Sequence, residues 1–137
     1  MKSTITVKEA NQRVDDLMEQ GRKALGPDTR LTDDFRKESM ACDDPTDQGP
    51  KGRVFATRDA QVVNTRTSVP QENFAALREW WKVSGFQITS DASSRLFAEN
   101  PANGFRMSIE TNAQGLLYLG VSSPCVWPNG TPEPKEK

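Results

Sequence analysis

The chain has 137 residues, of which 34% are apolar, with 18 Lys and Arg against 19 Asp and Glu and no histidine. That length suits one domain. The apolar share is below the ~45–50% usual for globular chains, which implies a modest core that needs good packing or a covalent staple. Residues 1–50 carry eight basic and eleven acidic side chains and residues 51–137 carry ten and eight; neither half has the dense basic stripe that phosphate contacts require, which argues against nucleic acid as a partner.

The first predicted element is an amphipathic helix. Thr6 and Glu9 have the spacing of a capping box, with Ile5 placed to staple onto Ala10. Val7, Ala10, Val14, Leu17, Met18 and Leu25 fall on one face, Gly21 interrupts at a cost of about 1 kcal/mol, and Gly26-Pro27 ends the run. Residues 27–52 are polar and rich in turn formers, and read as a long loop with at most a short strand near Phe35 or Cys42. Val54 to Asn64 reads as a strand whose alternation fails at Arg58 and Asp59.

A second helix follows, capped by Ser68 with Gln71, with Pro70 in its first turn and Phe74, Leu77 and Trp81 as its buried stripe. Gly85 ends it, and Phe86 can fold back on Trp81. Strand signals then run in series at Phe86–Ser90 and Arg95–Glu99. After a turn at Pro101–Gly104, Phe105, Met107 and Ile109 alternate with polar residues, and beyond Asn112–Gly115 Leu117, Leu119 and Val121 complete a hairpin. The expected fold is α+β, a two-layer sandwich with an antiparallel sheet of about four strands and two helices on one face. The domain spans residues 1–127, and 128–137 form a disordered polar tail.

No apolar run is long enough to span a bilayer. Met1 leads into a polar, helix-like segment and not into a signal peptide, which leaves a cytosolic chain or an exported one whose signal lies outside this sequence. Cys42 and Cys125 form no CxxC pair and have no histidine beside them to complete a typical zinc site. They read as a disulfide, with two buried reduced thiols as the competing reading; the disulfide would indicate an oxidising compartment.

The absence of histidine removes the commonest general base and the Ser-His and Cys-His nucleophile pairs. Asp43, Asp44 and Asp47 lie close together, but their spacing lacks the alternation and distant Glu of an EF-hand loop, so the plainer reading is a solvated turn. No metal site and no cofactor are expected. Trp80 and Trp81 point about 100° apart on a helix, so one can be core while the other sits at the edge. Trp127, between Val126 and Pro128, reads as packing over the disulfide.

The segments CDDPTDQGPKG (Cys42 to Gly52) and SPCVWPNG (Ser123 to Gly130), the run EWWKVSGF, the run GFRMSIETNAQGLLYLGVSSPC and the opening amphipathic helix resemble small secreted lipoproteins of actinobacteria. The resemblance covers most of the chain. It implies an exported precursor with a lipidated cysteine upstream of this sequence, and a group without assigned activity, so that only Cys42 and Cys125 carry over, as a disulfide pair.

Three functions follow as expectations. The first is a non-enzymatic, monomeric cell-envelope domain, attached to the membrane only through an upstream lipid, which binds a protein or envelope partner through Trp80 and the acidic Asp43, Asp44 and Asp47. The second is an immunity or inhibitor protein against a secreted toxin. The third, disfavoured, is a hydrolase built on Asp43, Asp44, Asp47 and Glu110.

Overall fold

In the computed structural model, which describes residues 3–42 and 52–132, the elements run α1 (Val7–Ala24), β1 (Arg30–Ala41), β2 (Val54–Val63), α2 (Pro70–Val83), β3 (Gln87–Ala92), β4 (Arg95–Glu99), β5 (Arg106–Thr111) and β6 (Leu117–Ser122). The strands form one antiparallel sheet in the order β1-β2-β6-β5-β4-β3. The α+β class therefore holds, but the sheet has six strands and not four.

Most of the difference is β1. Its twelve residues, RLTDDFRKESMA, bury almost nothing and show no period-2 pattern. The segment is a strand because β2 pairs with it, not because its own side chains demand it. Two irregularities, between Thr32 and Phe35 and between Lys37 and Met40, set two residues of β1 against one of β2. Such bulges bend and twist an edge strand. Asp33 takes the left-handed conformation that the first one requires, with φ 49°.

Helix α1 forms as its pattern dictates. The Thr6 hydroxyl accepts from the Glu9 N–H while the Glu9 carboxylate accepts from the Thr6 N–H. Ala10, Val14, Met18 and Gly21 make the buried stripe. At Gly21 a β-carbon would sit 3.0 Å from Leu119 Cδ2 and 3.3 Å from Met107 Cε, so the glycine lets the helix settle onto β5 and β6. Helix α2 buries Phe74, Leu77 and Trp81, and the Trp81 indole donates to Met107 Sδ at 3.3 Å. Both helices thus reach Met107 and share one face of the sheet.

The cap of α2 differs from expectation. It is Val69, not Ser68, and no side chain caps it. Pro70 forces the residue before it into extended backbone (φ −92°, ψ 113°). Thr67 takes over locally: its hydroxyl accepts from the Val69 N–H at 3.1 Å and donates to Glu72. At the other end Gly85 adopts φ +88°, the Phe86 N–H bonds back to the Trp81 carbonyl at 2.9 Å, and the Phe86 ring lies 6.4 Å from that of Trp81.

The failed alternation in β2 has a physical cause. Arg58 lies on the helix-facing side between buried Ala56 and Ala60. Its guanidinium donates to Asp15 of α1 at 2.9 Å and to both Asp34 oxygens of β1, and Arg36 also donates to Asp15. One cation thus bonds the helix to the edge strand. The hydrogen bonds from Arg58 hold the Asp34 carboxyl below the ordinary aspartate range.

Cys42 and Cys125 are joined, with Cα atoms 6.2 Å apart. The bond sits beside an isolated bridge between Val54 and Val126, and the Cys42 N–H donates to the Arg53 carbonyl at 3.0 Å. The tail read from residue 128 starts docked: the Thr4 N–H donates to Gly130 and the Val7 N–H to Pro128, at 2.8 and 3.1 Å. The second of these satisfies a first-turn donor of α1 that has no partner within the helix. Residues 133–137 lie outside the described residues.

Two outcomes test this account. Joint Cys42→Ala and Cys125→Ala substitution should lower Tm by about 10–15 °C in thermal denaturation, through the entropy an 83-residue closure removes from the unfolded chain. Arg58→Met should cost about 1–3 kcal/mol in denaturant titration at neutral pH. Because the Asp34 carboxyl is depressed in the fold, its share of that stability is present above the unfolded aspartate pKa and fades as pH falls through the folded value.

Candidate functional site: the open face of the sheet

Side chains alternate across a strand, so residues on the face away from the helices can be read from the pairing. Phe35 pairs with Asp59, Asp59 with Gly120, Gly120 with Ser108 and Ser108 with Phe97, which makes one row across five strands. A second row runs Lys37, Thr57, Ser122, Arg106, Glu99. Among the described residues no helix or strand covers these rows. Their residues on β2, β4, β5 and β6 line a groove of about 520 Å³ together with Phe55, with Asp59, Gly120, Ser108 and Phe97 forming one side of it.

Gly120 explains the groove's depth. Its backbone lies outside the left-handed region, so the glycine supplies space and not conformation. A β-carbon there would lie 2.5 Å from Asp59 Oδ1 and 2.9 Å from Ser108 Oγ. A glycine within a strand often marks a place where another group approaches closely. Here the carboxylate and the hydroxyl both lean over it.

The acidic side chains of this face differ in their surroundings. Glu110 lies 3.9 Å from Arg95, and Glu99 pairs in register with Arg106. Lys37 sits over the exposed Phe35 ring and Arg95 over that of Phe97, at 5.5 and 5.7 Å. The Asp59 carboxylate has no hydrogen bond or ion pair among the described residues. Desolvation by the surrounding sheet, and secondarily the charge of Glu110, push its carboxyl above the ordinary aspartate value.

The residues singled out from the sequence lie elsewhere, apart from Glu110. Trp80 is half-buried, with its ring 6.2 Å from Phe86 just ahead of β3. Cys42, which precedes the acidic residues, directly follows β1 at the opposite edge of the sheet. Asp43, Asp44 and Asp47 lie outside the described residues. Trp127 is buried, beside Gly52. Among the described residues no three acidic or cysteine side chains gather as a metal site would need, and no helix is long and apolar enough to cross a membrane.

Asp59 and Gly120 were legible only as irregularities: a charge where strand alternation failed, and a glycine inside LYLGV. A test of the Asp59 environment follows from the sign of its shift. Since the fold disfavours the ionised form, the penalty exists above the folded pKa and is relieved as pH falls through it. Asp59→Asn should therefore raise Tm at about pH 7, and the gain should vanish at about pH 3, below the ordinary aspartate pKa of about 3.9. Compared with family models, curated proteins and solved structures, the chain matches none.

Proposed function

We propose that this chain is a non-enzymatic domain of an exported cell-envelope protein, and that it binds a protein or envelope partner through the open face of its sheet. The observation that carries the reading is the groove lined by Phe55 and Phe97, an uncovered surface along one side of which the Asp59 carboxylate lies with no ion pair among the described residues. Its volume falls within the ~300–1,000 Å³ typical of ligand sites. The disulfide supports export, because such bonds persist in oxidising compartments. Ser108 and Asp59 both lie over Gly120, but the chain has no histidine to activate the serine as a nucleophile.

The half-buried Trp80 is the competing surface from the sequence, and one experiment separates the two. A photo-crosslinking residue is placed singly at Thr57, Ser122 or Trp80, and the full chain is irradiated with an envelope fraction of the source cells. Defined adducts are expected from Thr57 and Ser122, and should be lost when Phe97→Glu is added to a chain of unchanged Tm. Adducts from Trp80 alone would move the surface to the end of α2. No adduct from any of the three positions would remove the binding reading.

A further inference from the structure

Resting on that reading, we infer that the groove recognises a primary ammonium group on an aliphatic stem, with Asp59 as counter-ion, Ser108 as a second acceptor and Phe55 and Phe97 as apolar walls. Three features converge on it. The first is charge: of the groove's lining residues Asp59 and Glu99 are acidic and Arg106, in register with Glu99, is basic, while Lys37 of β1 lies over the neighbouring Phe35 ring, so that among the described residues no cation reaches ion-pair distance of Asp59. The Asp59 side chain is exposed yet partly desolvated where it leans over Gly120, and a cation there offsets that desolvation and the repulsion from Glu110.

The second is the geometry over Gly120. Asp59 Oδ1 and Ser108 Oγ both lie within 3 Å of the place a β-carbon would occupy, so two acceptors close on one spot. An ammonium carries three rotatable donors on a compact charge and suits such a convergence, whereas a planar guanidinium is matched to a carboxylate's two oxygens side by side. The third is the flanking surface. Phe97 already carries Arg95 over its ring, so it serves as an apolar wall along which an alkyl stem can lie and not as a seat for the cation.

The test is a titration of the isotope-labelled full chain, followed by amide and carboxyl NMR, with hexylammonium, hexanol and hexanoate, and with an acetylated, amidated Gly-Lys-Gly peptide to separate a free amine from a lysine side chain. Hexylammonium or the peptide should shift Thr57, Asp59, Ser108 and Gly120 saturably, and whichever saturates at lower concentration identifies the source. Binding should lower the Asp59 titration midpoint, and affinity should fall as pH drops through that midpoint. Asp59→Asn should weaken binding about ten- to hundredfold. Gly120→Ala, which keeps the charge but forces the carboxylate away, should weaken it too. Equal shifts from all three six-carbon probes, unchanged by Asp59→Asn, would overturn cation recognition while leaving a binding groove. No groove shifts from any probe would overturn the inference, and the crosslinking result alone would then decide whether the face binds a partner.

Discussion

The covalent tie between Cys42 and Cys125 joins two segments that packing holds unequally. One is β1, which has almost no buried side chain. The other is the stretch after β6, which leaves the sheet after one isolated bridge at Val126. A chain with a modest apolar share cannot rely on its core alone to fix such a strand. With the tie in place, Val126 and Trp127 are buried beside the first residues of the chain, and Pro128 and Gly130 accept bonds from Val7 and Thr4. Both termini of the described chain and the start of α1 are thereby anchored at one corner of the sheet.

Arg58 does by ion pairing at the middle of β1 what the disulfide does at its end. The side chain lies on the helix-facing side of β2, where a strand would normally place an apolar residue. Buried charge is unfavourable unless paired, and Asp15, Asp34 and the neighbouring Arg36 make a partly solvated network around it. The bulge at Asp33 and Asp34 belongs to the same arrangement, since it places Asp34 within reach of Arg58. Edge strands invite pairing with other chains, and bulges and charges are established means of preventing it. β1 has both.

The sheet is asymmetric across its two faces. Met107, Ile109, Leu119 and Val121 point into the helices and are buried, while the residues between them form the open face. The strands that make the core therefore also make the groove, and Gly120 belongs to both: its neighbours Leu119 and Val121 pack inward while its missing side chain opens the floor outward. A rigid sheet holds Asp59 and Ser108 in position more firmly than a loop would.

Much of the architecture follows from local chemistry in the sequence. The capping box of α1, the apolar stripes of both helices, the left-handed stop at Gly85 and the alternation of β5 and β6 each depend on residues close together in the chain, and each forms as written. The position of the two cysteines also suggested their bond. β1 was not legible, because a polar edge strand has no period to read until β2 supplies its hydrogen bonds. The cap at Val69 was missed because Pro70 overrides the preference of Ser68. Asp59 showed only as a break in a pattern, and Gly120 as a glycine in a strand, because a groove is a relation between strands distant in sequence. The sequence by itself determined the helices, the inward faces of β5 and β6 and the candidate staple; only the tertiary structure decided which face stayed open and brought Asp59, Ser108 and Gly120 together, since strand order and register are set by pairing across the whole chain.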